Sequence, residues 1–419
     1  MTKGDKFRQT RRETRDRRKI QSCYTREIKI IKSHLSNKTL NHLNFLFIEA
    51  KWLYNHILSQ PDIFSYDNKQ NTILVKKNDQ FEERKIKYLS AQMKYGIKNR
   101  MEISIKTLSK LKKKGYQVGR LKFRSAIKSI ELIQFDSDKI LNNKYIQIEK
   151  VKQKLRVSGL DQILPTDEIT NAFLIKRSGD FFLKIVTFRN KETVDTSNLS
   201  SIGLDFGISN QITISNKISV KFEIPISEQL KRSQQKLSRK QKGSKNYQKQ
   251  QIKIRKQYQK QTNKKSDIRN KIVHFLKINF NVIAFQKENF HGWQKSFGSK
   301  IQNTSMAGIT SALRARTATV VEVNQWFPST QLCCKCGSRK SMTLKDRIYH
   351  CNNCGNTMNR DLNASCNILY EALSVPPEQR EFTSVESQTN TLMLTYLNRI
   401  PCVRASQLVE SESRKERLD

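Results

Sequence analysis

Two sets of residues in this chain have the types and spacing for metal chemistry. Cys333-x-x-Cys336 and Cys351-x-x-Cys354 are separated by 14 residues, with Gly337 and Gly355 directly behind the two pairs. Each turn aims two sulfurs at one point, and the glycine lets the following amides turn toward the metal. Four thiolates then close a tetrahedral shell with no position left for water, the signature of a structural zinc site. Unligated buried thiols are the competing reading. Cys334 and His350 adjoin the ligands, but four sulfurs already complete the shell; Cys23, Cys366 and Cys402 are expected to be free.

The second set is three carboxylates. Asp205 ends the apolar run Ile202–Leu204, Glu288 follows the strand-like Val282–Phe285, and Asp361 opens a helix in MNRDLNAS. A carboxylate at the centre of a sheet is costly unless it meets a cation or hydrogen-bond donors. Singly, each has an ordinary reading as a turn or cap residue, and for Asp361 that reading is a helix N-cap. Together they suit two-metal phosphodiester hydrolysis, which needs carboxylates converging from separate elements onto magnesium or manganese. One ion would activate water and the other would stabilise the leaving 3′ oxygen. No catalytic histidine is required, and the six histidines form no His-Glu-x-x-His motif; a phosphate-binding Gly-x-x-x-x-Gly-Lys-Ser/Thr loop is likewise missing.

Charge supplies the partner. Against 79 Lys and Arg stand 37 Asp and Glu, a net +42, and such a surface binds phosphate backbones by releasing their counterions. Residues 231–271 hold sixteen Lys and Arg against the single acid Asp267. We expect a long helix or helix pair over bound phosphates, with Lys240, Lys242, Lys245, Lys249, Lys253, Arg255, Lys256 and Tyr258 in contact and Tyr247 available for stacking. A solvated helix face is the alternative. No run of about 18 apolar residues could span a bilayer, and the first residues lack a signal-peptide core. The expectation is a cytoplasmic, nucleoid-associated prokaryotic protein with no membrane partner and no small-molecule substrate.

These residues need a multidomain α+β and α/β frame. Residues 1–25 form a basic arm expected to be disordered. Residues 26–195 read as a β-barrel lobe for nucleic-acid recognition, interrupted by a helical insertion at about 39–115, with helix over 82–113. Its strands are expected in REIKIIKS, GRLKFRS, IELIQF, KYIQIEK, QKLRVSG and the hairpin AFLIKRSGDFFLKIVTF, which turns at Ser178-Gly179-Asp180. Residues 196–370 read as the nuclease. Strands are expected in SIGLDFGISNQITISN, NVIAFQKENF and ATVVEVN, helices over Ser305–Arg316 and from Leu362, and the zinc ribbon at about 328–358. The Ser-, Thr-, Glu- and Pro-rich 371–419 is expected to be a weakly ordered tail.

IGLDFGIS, VIAFQKENFHGWQKS and the paired cysteines followed at once by NRDLNASCNIL resemble the RuvC-like nuclease of the TnpB family. Those proteins are encoded by insertion sequences and related to type V CRISPR effectors. The resemblance runs from about residue 26 to 370. It implies an RNase H-like fold in which Asp205, Glu288 and Asp361 are the first, second and third acids and bind magnesium. Many relatives place the second acid directly after the strand; here Gln286 holds that register and Glu288 lies two residues on. A subgroup with Gln-x-Glu-Asn ahead of Gly-Trp is matched by Gln286, Glu288, Asn289, Gly292 and Trp293. The resemblance also implies a guide RNA, a double-stranded DNA target and cleavage beside a short adjacent motif. A nuclease-inactive guided repressor, a CRISPR effector and, further off, a strand-transferring transposase are the alternatives.

Overall fold

The chain folds as two units, Met1–Glu192 and Thr193–Asp419, in a computed structural model that describes residues 3–77, 80–133, 135–190, 199–316, 320–343, 345–380 and 387–408. The first unit runs α1 (Lys3–Lys19), β1 (Gln21–Ile30), α2 (Asn37–Leu58), β2 (Thr72–Lys77), β3 (Gln80–Lys85), α3 (Ala91–Lys113), β4 (Ser129–Leu132), β5 (Ile140–Leu141), β6 (Tyr145–Ile146), β7 (Leu155–Ser158), β8 (Glu168–Arg177) and β9 (Asp180–Asn190). Seven strands make one antiparallel sheet in the order β4-β8-β9-β1-β7-β6-β5. No pairing between its end strands, β4 and β5, is seen among the described residues. The β8–β9 turn falls at Ser178 and Gly179, both at positive φ (54° and 83°), as a tight hairpin matching the strands' twist requires.

Helix α2 begins where Ser36 accepts the Thr39 N–H, and α3 where Ser90 accepts that of Met93. Leu43, Leu46, Ala50, Leu53 and Ile57 recur at helical spacing along α2, and they share one core with Ile28, Ile30, Leu174, Leu183 and Ile185 of the sheet. Glu49, on the same helix and 2% exposed, accepts the backbone N–H groups of Lys87, Tyr88 and Leu89 at 2.8, 2.8 and 3.0 Å. Glu49→Ala would strand three buried donors, so urea denaturation should show a loss of about 3 kcal/mol in the stability of this unit.

Four sequence expectations change in this unit. The basic arm is helical over Lys3–Lys19, in keeping with its strong helix formers, and its end is tied down: Arg17 and Arg18 pair with Glu168, and Arg18 lies 3.6 Å from the Phe188 ring centroid. β1 starts at Gln21, five residues before the expected REIKIIKS. Residues 80–85 are a strand of the β2–β3 hairpin, and helix begins only at Ala91. GRLKFRS forms no strand; the Asn55 amide takes the place of a neighbouring strand by bonding both the N–H and the C=O of Arg124.

The second unit runs β10 (Ile202–Phe206), β11 (Ile212–Ile214), β12 (Ile218–Phe222), α4 (Glu228–Ser238), α5 (Lys245–Asn279), β13 (Ile283–Gln286), α6 (Phe290–Phe297), α7 (Ser299–Gln302), α8 (Met306–Arg316), β14 (Val320–Val323), β15 (Ile348–His350), β16 (Thr357–Asn359), α9 (Arg360–Leu373), α10 (Ser387–Asn398) and β17 (Val403–Gln407). Its sheet has the order β14-β13-β10-β11-β12-β17. β10, β13 and β14 are parallel neighbours, whereas β10, β11, β12 and β17 are successively antiparallel. The three parallel strands are nearly continuous apolar runs, as strands covered on both faces should be.

The expected weakly ordered tail is part of this core. β17 pairs with β12 over five residues, and Met393, Leu397, Ile400 and Val403 are buried with the sheet. Their apolar spacing is diluted by Ser, Thr and Asn, which hid it in the sequence. Residues 381–386 and 409–419 of that expected tail lie outside the described residues. Among the described residues, no helix is long and apolar enough to cross a membrane.

Candidate metal centres and nucleic-acid interface

Parallel strands end on one edge of a sheet, and that edge gathers the acids. Asp205 is the fourth residue of β10; its neighbour Leu204 pairs with Phe285, which sets Asp205 level with Gln286 on β13. Glu288 follows two residues later, between the strand end and Asn289, whose side chain caps α6. Asp361 lies in the first turn of α9. The N-cap of that helix is Asn359, whose Oδ1 accepts the N–H groups of Asp361 and Leu362 at 3.0 and 3.2 Å. Asp361 is therefore not the cap, and its carboxylate is left for another purpose.

Helix α9 reaches the acids because β10 has a glycine beneath it. A Cβ on Gly203 would lie 2.0 Å from the Ser365 carbonyl oxygen and 3.0 Å from the Leu369 amide nitrogen. Ser365 thus sits over Gly203. Four residues of helix and two of strand each span roughly 6 Å, so a helix running back along β10 carries Asp361 toward the level of Asp205. Electrostatics agrees. Burial pushes the Asp205 carboxyl well above the usual carboxylate range, the charges of Asp361 and then Glu288 push it further, and Arg360 opposes them. Burial alone raises Glu288 to about 7. Arg360 also contacts the Asp361 carboxylate at 3.1 Å. Phe285, Phe206, Phe290 and Trp293, on the elements that carry Asp205 and Glu288 or follow them, stack edge-to-face in sequence, with centroids 6.1, 5.8 and 5.4 Å apart.

Gln286, which occupies the register expected of the second acid, has a different task. It is 7% exposed. Its Nε2 donates to the carbonyls of Asn324, Gln325 and Phe327 at 3.1, 3.1 and 2.7 Å, and its Oε1 accepts from Ser329 at 2.8 Å. A carboxylate would face three carbonyl oxygens with no proton to offer them. We expect Gln286→Glu to lower the thermal midpoint by several degrees, on the order of 3 kcal/mol, a result that differential scanning calorimetry would check.

The four cysteines form a closed cluster: their sulfurs all lie within 4.8 Å of one another, with Cys333–Cys354 at 3.6 Å and Cys336–Cys351 at 3.5 Å. Tetrahedral thiolates on bonds of about 2.3 Å would stand roughly 3.8 Å apart. Gly337 and Gly355 have φ of 72° and 69°, and their N–H groups close the two knuckles onto Cys333 O and Cys351 O. Cys334 turns away from the cluster to pack with Met358 and Cys366. No disulfide joins any of the eight cysteines.

What the sequence did not disclose is how this ribbon is fastened to the acids. Asn363 and Asn367, one turn apart on α9 and 0% and 1% exposed, reach into the first knuckle strand. Asn363 accepts the Cys334 N–H at 3.0 Å and donates to Leu332 O; Asn367 donates to Leu332 O and Ser329 O. Ser329 is also the residue held by Gln286. The ribbon is thus hydrogen-bonded both to the helix bearing Asp361 and to the strand preceding Glu288. The i, i+4 asparagines in NRDLNASCN were the available signal.

The basic stretch is a pair of packed helices, α4 and α5. Between them lies an open groove lined by Arg232, Lys236, Lys253, Lys256 and Lys260 with Gln229, Ser233, Gln250 and Gln257, and by no acid. Of the expected contact residues, Lys253 and Lys256 line it. Lys240 and Lys242 lie in the turn between the helices, while Lys245 and Lys249 are on the first turns of α5. Arg255 is exposed on another face, and the half-exposed Tyr258 accepts a hydrogen bond from Gln234 across the helix pair. Arg232, Lys236 and Lys260, outside the expected set, line the groove as well, and their i, i+4 and i+3/i+7 spacing matches one helix face.

Comparison with known proteins finds partial matches, most of them in the second unit. A family model described as "Cas12f1-like, TNB domain" matches residues 308–368, and one described as "Probable transposase" matches residues 185–279. A Streptomyces pristinaespiralis protein named "Putative RNA-guided DNA endonuclease" is 26% identical over 208 residues, covering 47% of this chain and 51% of that protein. "TnpB-like protein L79" of Acanthamoeba polyphaga mimivirus is 32% identical over 136 residues, 28% of this chain and 24% of that protein. The matches therefore span about half the length of the first relative and a quarter of the second. Among solved structures, a Cas12f1-sgRNA-target DNA complex aligns with TM-score 0.38 and 17% identity over 66% of this chain and 71% of that one. CasPhi-2 (Cas12j) bound to crRNA and phosphorothioate-DNA gives 0.37 and 11% over 86% and 92%. Over residues 185–279 and 308–368 the chain is similar to the transposase and Cas12f1-like families, and TnpB-like proteins are among the relatives it matches in part.

Proposed function

We propose that the protein is an RNA-guided DNA endonuclease of insertion-sequence type. In this reading the second unit is an RNase H-like, RuvC-type nuclease, with Asp205, Glu288 and Asp361 holding magnesium or manganese. The order β12-β11-β10-β13-β14, antiparallel and then parallel, is the sheet such a nuclease uses. The observation that carries the reading is electrostatic: burial and then the charges of Asp361 and Glu288, from a helix start and a strand end, raise the protonation of Asp205, in a chain of net charge +42. A cation at this edge would relieve the burial and like-charge cost that Asp205 bears.

Bound divalent ions would supply an activated water and stabilise the leaving 3′ oxygen. Asp205, Glu288 and Asp361 would hold these ions, with Asp205 the carboxyl that feels the charges of both others. Arg360 holds the Asp361 carboxylate by one oxygen, leaving the other for the ion. Cys333, Cys336, Cys351 and Cys354 would hold zinc, whose chemistry there is structural. The α4–α5 groove would track a phosphate backbone, and the antiparallel lobe of the first unit, read as a barrel, would recognise the guide RNA and target duplex. Nucleoid association would follow from the charge.

The test is to purify the full chain with its bound RNA, sequence that RNA, and assay magnesium-dependent cleavage of a matching duplex beside Asp205→Ala. Guided cleavage lost in the variant is the expected outcome; cleavage that survives would remove the site assignment.

A further inference from the structure

Trp326 is 82% exposed, more than any other large hydrophobic side chain among the described residues. Its exposure is not the result of a loose loop. The carbonyls of Asn324, Gln325 and Phe327 are all bound by the buried Gln286 amide. The Trp326 N–H itself donates to Asn324 Oδ1 at 2.9 Å, and the Phe327 N–H to Asn324 O at 3.1 Å. Phe327 takes the inward position, packing with Ala284, Val323 and Ile368. The indole is therefore held outward by a backbone fixed on both sides of it.

Its place matters as much as its exposure. β14 ends three residues before Trp326, and β14, β13 and β10 are parallel neighbours, so their C-terminal ends share one edge. Two strand spacings of about 4.8 Å separate β14 from the strand that bears Asp205. The same Gln286 side chain that anchors the Trp326 loop lies two residues before Glu288. Lys287, between them, is exposed and adds a cation at this edge.

We propose that Trp326 is a stacking platform for an unpaired base of the DNA strand entering the acidic centre, setting which phosphate lies over Asp205, Glu288 and Asp361. This inference rests on the nuclease reading above. A rigid indole face binds any base whose own face is free, and every base has one once it leaves the duplex. The net charge of the chain favours a nucleic-acid occupant over a protein one.

The test uses the full chain with its RNA. In an Asp205→Asn background, which prevents turnover, a thymidine oligonucleotide is titrated while tryptophan fluorescence is followed. Trp52 and Trp293 also emit, so the same titration with Trp326→Phe isolates the Trp326 signal. We expect quenching that depends on Trp326. In the cleaving parent, Trp326→Ala should raise KM about tenfold with the thermal midpoint and metal content unchanged, and Trp326→Tyr should recover most of the loss. An oligonucleotide signal that is the same with and without Trp326, or a Trp326→Ala KM equal to the parent's, would overturn the proposal and leave the indole as a contact for another protein. The quenching experiment needs no cleavage. A parent that binds the oligonucleotide through Trp326 but cuts nothing would count against the nuclease reading alone.

Discussion

Asp205→Asn should do two opposite things: lower guided DNA cleavage by at least about 10³-fold and raise the thermal midpoint of the metal-free chain by a few degrees, about 3 °C. Both follow from one fact. Burial, Asp361 and Glu288 all disfavour ionised Asp205, so without a cation the folded chain loses stability at neutral pH that an unfolded, solvated carboxylate would not lose. An amide of the same shape removes that cost together with the metal ligand. Glu288 gives the pH dependence its sign. Its carboxyl is raised from 4.5 to about 7, so between those values the folded chain binds more protons than the unfolded one. Metal-free stability should therefore fall as pH rises from about 4.5 to about 7, with the raised Asp205 carboxyl adding to the same trend. Magnesium must displace that proton, so its affinity should rise over the same span. Thermal melts in chelator and in magnesium across pH 5 to 9 would check both trends. Equal midpoints for Asp205→Asn and the parent in chelator would show that the acids do not strain one another.

Removing the ribbon's metal should be as damaging to cleavage, although no cysteine need touch DNA. Asn363, Asn367 and Gln286 all spend their amides on backbone between residues 324 and 334. If the knuckles open, three buried amides lose partners at about 1–3 kcal/mol each, and the start of α9 loses its anchor. Cys351→Ser, or prolonged chelation of the reduced protein, should reduce bound zinc from about one per chain to near zero. We expect cleavage to fall by at least about 10²-fold and the thermal midpoint to drop. Metal analysis beside the cleavage assay is the measurement, and a zinc-free chain that still cuts at the parent's rate would disprove this coupling.

The cysteine knuckles, the β8–β9 turn and strands β10, β13 and β14 could be read from sequence because each carries its signal within a dozen residues. The β2–β3 hairpin could not: TILVKK sets three apolar residues in a row with only Ile73 buried, and QFEERK has one, the exposed Phe81, so neither period stands out. GRLKFRS alternates like a strand but meets a side-chain amide instead of a partner strand, a tertiary substitution with no local trace. The role of Gln286 depends on carbonyls 38 to 41 residues later. Asp361 looked like a cap because it opens a helix, and only the geometry shows Asn359 taking that role two residues earlier.

The contact between Gly203 and Ser365 has a consequence for how this site tolerates change. The gap between the two aspartates is measured by main chain pressed on main chain, because no side chain separates β10 from α9 there. Larger or smaller residues elsewhere in the core can shift packing without moving that ruler. A methyl group at position 203 would act on it directly, forcing the helix outward and moving Asp361 away from Asp205. The spacing of the two carboxylates is thus set by the one place in the strand where nothing protrudes.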